Sequence, residues 1–191
     1  MAGLSFGRKR RRQVNYELLQ EIFIWIVRIA LVCVIAFGLV WYFGQKVSVI
    51  GDSMNPQLEN GDITLINRLV YNMRKPKKGE VIAFKPNGNE NSHYYIKRVI
   101  GLPGETIEYV HGEILIDSEA IEEDYNTTKI EELGLLEEPI TLGKEEYFVL
   151  GDDRQNSEDS RMANVGNVKQ SEIAGKVWLV VSPMKHFGVV K

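Results

Sequence analysis

Ile22 to Gly44 runs for 23 residues with Arg28 as its one charge, and this stretch constrains the chain more than any other. A helix of that length reaches roughly 34 Å at about 1.5 Å per residue, enough for a hydrocarbon core of about 30 Å. Arg8, Lys9, Arg10, Arg11 and Arg12 precede it and only Lys46 closely follows it, so the positive-inside rule puts the N-terminus in the cytoplasm and exports the rest. Trp41, Tyr42 and Phe43 close the far end, where amphipathic rings suit the headgroup region. Arg28 sits about four residues deep, within reach of the cytoplasmic face by snorkelling. The predicted plan is a basic cytoplasmic tail over 1–20, a transmembrane anchor helix over 21–44 and an extracytoplasmic domain over 45–191. A cleaved secretory signal shares the basic start and apolar middle. Cutting after Val34-Ile35-Ala36, however, would leave Phe37 to Phe43 as an exposed apolar end, which favours the uncleaved anchor.

Residues 45–191 hold 17 basic and 24 acidic groups, a net of −7. An acidic body argues against nucleic acid as a partner, and topology already explains the arginine run. The single cysteine, Cys33, lies in the apolar run and excludes an intrachain disulfide. No Cys, His or Asp spacing suggests a metal site, and no cofactor is expected.

The body reads as short strands rich in β-branched and aromatic residues: Asp62 to Ile66, Gly79 to Lys85, Tyr94 to Ile100, Thr106 to Val110, Glu113 to Ile116, Tyr147 to Leu150 and Lys176 to Val181. Asn60-Gly61, Pro86-Asn87-Gly88, Pro103-Gly104 and His111-Gly112 punctuate them as turns. No strong helical period follows Gly44. The expected fold class is mainly β, an antiparallel sheet domain behind one transmembrane helix. Residues 117–146 read as an acidic, solvated excursion or a subdomain hairpin; Glu113 through Glu146 holds twelve acids against Lys129 and Lys144.

Gly51-Asp-Ser-Met-Asn-Pro-Gln-Leu58 follows the alternating Val47 and Val49, which places Ser53 where a strand gives way to a turn. A hydroxyl there is held at a fixed angle and still faces solvent. Alone it is a turn serine, since its neighbours favour turns. From Phe43 to Ser53 is ten residues, so the hydroxyl stays within about 35 Å of the helix end. It would work near the membrane surface. Of the histidines, His111 sits in a turn and His186 in the C-terminal tail, which leaves lysine as the better base. In Tyr94-Tyr95-Ile96-Lys97-Arg98-Val99-Ile100, alternation puts Tyr95, Lys97 and Val99 on one face and Arg98 on the other. One of the two adjacent bases must point inward, or both faces must be partly wet. A lysine acts as a base only when neutral, and burial can lower its ordinary value near 10.4 by several units. The plain alternative is an edge-strand charge that deters aggregation.

Four segments together resemble the successive boxes of bacterial type I signal peptidases: Gly51-Asp-Ser53-Met54-x-Pro56-x-Leu58; Gly79-Glu80-Val81-Ile82; Tyr95 through Glu105; and Gly151 through Arg161. They occur in the family's order after one N-terminal anchor. The resemblance implies a Ser/Lys dyad in which Ser53 attacks the scissile carbonyl and Lys97 takes its proton. It implies that Ser157 hydrogen-bonds Lys97 and that Asp159 and Arg161 form a structural ion pair. Asp152, Asp153 and Glu158 read as polar turn residues. The Ser53 backbone N–H is the expected oxyanion donor. Some relatives add a serine two residues upstream, but Gly51 stands here, so its N–H or a water would have to replace that hydroxyl. Asp153 and Gln57 also depart from the usual Asn and Thr.

An exported signal peptide would add as a strand against the Val47 to Gly51 and Tyr95 to Lys97 segments. The family accepts small residues one and three before the cut, and Val49, Met54, Leu58, Tyr95 and Ile96 are the expected pocket walls. The expected partners are signal peptides of secretory preproteins, membrane lipid and the secretion machinery. Two other readings share the fold: an inactive membrane-anchored binding or scaffold protein, and a self-cleaving Ser/Lys regulator. The regulator would carry a DNA-binding domain where this chain has its apolar segment.

Overall fold

The computed structural model describes residues 16–191, without the side chains of 39–43. The expectations on the basic run 8–12 and on the rings of Trp41, Tyr42 and Phe43 lie outside the described residues. The chain divides into two compact units, Met1–Val40 and Trp41–Lys191.

Helix α1 spans Tyr16–Phe43 and starts before the apolar run, with Glu17 in its first turn where the helix dipole favours an acid. Its section Tyr16–Gly38 is long and apolar enough to cross a membrane, and none of it is buried in protein. An apolar surface with no protein cover suits lipid. Arg28 lies over the Trp25 ring, 5.6 Å from its centroid, so the side chain leans toward the helix N-terminus as helical side chains do.

The second unit is mainly antiparallel β, as expected. Strands β1 (Gln45–Ser48) and β2 (Ile63–Asn67) form a hairpin. After the short helix α2 (Leu69–Met73) come β3 (Val81–Phe84), β4 (Tyr95–Gly101), β5 (Thr106–Val110), β6 (Glu113–Ile116), β7 (Glu119–Ala120), β8 (Ile140–Thr141), β9 (Glu146–Leu150), β10 (Val168–Lys169), β11 (Ile173–Ser182) and β12 (Gly188–Val189). The larger sheet runs β1-β2-β11-β3-β4-β9-β10, with β12 also on β11; the smaller runs β7-β6-β5-β8.

Helix α2 was not expected. Five residues are too few for a helical period to show in sequence. A neighbouring carboxylate secures the helix: Tyr71, Arg74 and Lys176 all donate to Glu80. Burial raises the Glu80 carboxyl, but hydrogen bonds from Arg74, Lys176 and the Lys77 N–H outweigh it and hold it at about 2. Strand ends also differ by a residue or more; β11 begins at Ile173 rather than Lys176.

Both faces of the central strands are covered. Val81, Ala83 and Ile96 pack with Val47, Val49, Met54, Leu58 and Ile66 on one side. Ile82, Phe84 and Val99 pack with Tyr147, Val149 and Val168 on the other. Ile100, Phe148 and Leu150 meet the smaller sheet through Ile107, Ile114 and Leu142. Strand β4 is therefore buried along six of its seven residues. The choice between inward bases is resolved by both being inward: Lys97 is 4% and Arg98 1% exposed.

The 117–146 region is partly built into the fold. It supplies β7 and β8 to the smaller sheet and the buried Leu136 and Leu142. It also clasps the 151–161 loop. Thr128 donates its N–H to the Asp152 carbonyl at 3.1 Å and its hydroxyl to Asp153 at 3.0 Å. Arg154 pairs with Glu123, Gln155 with Glu131 and Arg161 with the Glu132 carbonyl.

Candidate active site

Ser53 lies in the loop that closes the β1–β2 hairpin. Val49 and Asp62 continue the pairing, the Val49 N–H donating to the Asp62 carbonyl at 2.8 Å and the Gly61 N–H to Val49 at 2.9 Å. Between them the chain makes tight turns, with Asn55 N–H donating to Asp52 and Leu58 N–H to Met54. Met54 and Leu58 are fully buried. Those two side chains root the loop in the core, so Ser53 is presented from a fixed base.

A second tether comes from the 151–161 loop, where the Asp153 N–H donates to the Ser53 carbonyl at 3.1 Å. Gly151 makes that approach possible. An added Cβ there would collide with the Ser53 carbonyl and the Ser157 Oγ.

Lys97 Nζ lies 2.6 Å from Ser53 Oγ. Among the described residues no carboxylate comes within ion-pair distance of that amine. Burial lowers its pKa from 10.5 to about 8, against the opposing pull of the Asp159 and Glu158 carboxylates and with help from Arg161. About one amine in ten is then neutral at pH 7, where an exposed lysine has almost none. Carboxylates thus bear on the amine without pairing with it, and burial prevails over them.

Asp159 and Arg161 form a two-pronged pair, with Nε to Oδ1 at 2.8 Å and Nη2 to Oδ2 at 2.9 Å. The remaining capacity is used: Arg161 also donates to the Glu132 and Arg154 carbonyls, and Asp159 accepts the Gly151 N–H. A buried pair holds only when its spare donors and acceptors are met in this way. Ser157 departs from the resemblance: its buried hydroxyl has no hydrogen-bond partner among the described residues, while Lys97 meets Ser53. Its place against Gly151 is instead one of packing.

Asp152 corrects the polar-turn reading. It is 1% exposed and takes two hydrogen bonds from Arg98, at 2.8 and 2.6 Å. Arg98 also donates to the Gly79 and Lys191 carbonyls and lies 4.0 Å from the centroid of the Tyr125 ring. Asp153 accepts from Thr128 and Asn156, and Glu158 accepts the Tyr95 hydroxyl at 2.9 Å. These three acids hold the site together, and their distant partners Arg98, Thr128 and Tyr95, 25 to 63 residues away, gave no local signal.

A cleft of about 220 Å³ opens over the pair. Val49, Met54, Tyr95 and Ile96 line it, together with Gly51 and Ser53. Leu58 does not. It is sealed in the core below, a consequence of the turn that buries it with Met54. Ile50, His93, Tyr94 and Glu158 also line the cleft and were not anticipated; Ile50 is 62% exposed and breaks the alternation that picked out Val47 and Val49. The Ser53 N–H has no acceptor among the described residues. The Gly51 N–H already donates to Asn60 Oδ1 at 3.2 Å, so it is not free as a second oxyanion donor. Among the described residues there is no group of acids, histidines and cysteine that could hold a metal.

Comparison with known proteins agrees along the chain. The family described as "Signal peptidase, peptidase S26" matches residues 22–182. Signal peptidase I P of Bacillus subtilis subsp. natto is 31% identical over 186 residues, covering 94% of this chain and 96% of that protein. Signal peptidase IB of Staphylococcus aureus (strain COL) is 30% identical over 183 residues, covering 88% and 93%. A crystal structure of a signal peptidase I from Enterococcus faecalis matches with TM-score 0.43 and 35% identity, over 57% of this chain and 98% of that one. With the family match running from the apolar helix to the last long strand, and relatives aligned over nearly all of both chains, the chain belongs to the signal peptidase family, peptidase S26.

Proposed function

We propose that this chain, a type I signal peptidase, removes signal peptides from exported preproteins by Ser53–Lys97 chemistry and cuts after small residues. The observation that carries the reading is the 2.6 Å approach of a buried lysine amine to a serine hydroxyl at the floor of a cleft. A hydroxyl needs an adjacent base to attack a carbonyl at neutral pH, and Lys97 supplies one.

In the neutral state the Ser53 hydroxyl donates to Lys97 Nζ. As Oγ bonds to the scissile carbonyl carbon, its proton passes to the amine. The developing oxyanion takes the Ser53 N–H, a donor whose loss typically costs about 10²-fold or more. The ammonium then protonates the departing amine, which leaves Ser53 acylated and Lys97 neutral. Water deprotonated by Lys97 releases the acyl group and restores the hydroxyl. The signal peptide lies extended in the cleft, and Val49, Met54, Ile96 and Tyr95 limit the side chains at the first and third positions before the cut. Helix α1 anchors the enzyme in one pass, with the N-terminus in the cytoplasm and the catalytic unit outside, near lipid and the secretion machinery.

Processing of a preprotein in detergent by wild type, Ser53→Ala and Lys97→Ala tests this reading. Only the wild type is expected to cut, with a rate that rises with pH through about 8. Equal processing by all three removes the enzyme claim, and a wild-type profile flat down to pH 5 removes Lys97 as the base.

A further inference from the structure

Glu158 sits in the cleft wall, one residue from Asp159 yet exposed, and its carboxylate accepts the Tyr95 hydroxyl at 2.9 Å. Tyr95 is two residues before Lys97 on β4, so both side chains leave the same face of the strand. The Tyr95 ring centroid is 5.8 Å from Lys97 Nζ. On its other flank His93 stacks at 5.2 Å and 18°, and Phe84 packs at 6.0 Å. The bond joins the base-bearing strand to the 151–161 loop across 63 residues of chain. It ties β4 to that loop at the rim, while the Asp153 to Ser53 bond ties the Ser53 loop to it at the floor.

We propose that Glu158 is a positioning residue for the general base: by accepting the Tyr95 hydroxyl it holds that ring over the Lys97 amine and keeps a negative charge on the amine's side of the cleft. The inference rests on Lys97 being the base. Burial and the Glu158 bond both raise the Tyr95 phenol above its ordinary value, so it remains the donor throughout the working range. The charges that bear on Lys97, from Asp152, Glu158, Asp159 and Arg161, all lie on the 151–161 loop; Arg98 on β4 is turned away into its pair with Asp152, and Asp52 and His93 line the same cleft. Asp159 is committed to Arg161 and Asp152 to Arg98. Among the acids of the 151–161 loop that bear on Lys97, Glu158 alone has no cation partner among the described residues, which makes it the one whose charge is open to adjustment.

The two parts of the role separate by substitution. Glu158→Gln removes the charge and keeps an acceptor oxygen for Tyr95. Tyr95→Phe keeps the charge and the ring and removes the bond. The test is kcat/KM against pH for detergent-solubilised full-length enzyme on a signal-peptide-derived substrate, with thermal unfolding of each variant as a folding control. For Glu158→Gln the acid limb is expected to move about 0.5 unit to lower pH, since a partly exposed carboxylate that favoured the ammonium is gone; the plateau stays within about threefold. For Tyr95→Phe the plateau kcat/KM is expected to fall about tenfold, the kinetic equivalent of one positioning hydrogen bond, without loss of unfolding temperature. An acid limb for Glu158→Gln that coincides with wild type overturns the charge role. A wild-type plateau in Tyr95→Phe overturns the positioning role. If wild type shows no acid limb, or Lys97→Ala retains activity, the dyad fails and the Glu158 inference, which rests on it, falls with it.

Discussion

The Asp153 backbone N–H donates to the Ser53 carbonyl at 3.1 Å, joining two loops a hundred residues apart in sequence. Ser53 is positioned as much by this main-chain bond as by its own turn. Side-chain chemistry at Asp153 serves the same end, because Thr128, Asn156 and the Gln155 N–H hold its carboxylate and thereby the peptide that reaches Ser53.

Gly151→Ala is the direct probe of that contact. The new methyl would meet the Ser53 carbonyl and the Ser157 Oγ, so one of the loops must shift. A shift of about 1 Å at a reacting group can cost about 10²-fold. The expected result is a kcat reduced by at least that factor, with the protein still folded by circular dichroism. Wild-type turnover would show that the two loops can separate without consequence.

Lys97→Met should inactivate the enzyme and stabilise it. The folded-state pKa of Lys97 is lowered from 10.5 to about 8. Below pH 8 the amine is charged in both states, and the folded chain must keep that charge away from water. The penalty is full there, on the order of 3 kcal/mol, and it fades as pH rises from 8 toward 10.5, where the unfolded chain binds more protons. Methionine fills similar volume without a charge. Denaturant unfolding at pH 7 should show a gain of about 1–3 kcal/mol, shrinking as pH rises above 8. A loss of stability at pH 7 would mean that the amine is not held at a cost.

Arg98 and Asp152 should behave as one unit. Either Arg98→Met or Asp152→Leu leaves the other charge buried, at a cost of about 3–5 kcal/mol. Arg98→Met combined with Asp152→Leu removes both charges and should cost less than the sum of the two single changes. Unfolding of the four proteins forms a double-mutant cycle, and strict additivity would mean that the 2.6 Å bond contributes nothing.

Enlarging the substrate residue before the cut from Ala to Leu should lower kcat/KM by at least about 10²-fold. Val49 and Ile96 are nearly buried and Met54 wholly so, and walls packed on their far side yield little; overpacking typically costs about 1–3 kcal/mol. Retained cleavage of the leucine substrate would refute the pocket.

Local chemistry made some features readable before any folding. An uninterrupted apolar run with basic residues on one side needs only hydropathy and charge to be seen, and α1 carries that run. The strand-to-turn step at Ser53 and the alternation through Lys97 are equally local, because backbone preferences act over a few residues. The small folded elements were less visible. Helix α2 is shorter than two turns, and β7 and β8 have two residues each, so neither period nor run length could mark them.

What packs against what was decided only by the tertiary structure. Alternation assigned Lys97 and Arg98 to opposite faces but could not say that both faces are covered, since that depends on the smaller sheet and the β1–β2 hairpin closing over β4. The same holds for Asp152 and Glu158, polar turn residues by composition that become partners of Arg98 and Tyr95 only when distant segments meet. A side chain's proton affinity follows its surroundings rather than its neighbours in sequence. Sequence therefore named the lysine, and only the folded chain buried its amine 2.6 Å from the Ser53 hydroxyl.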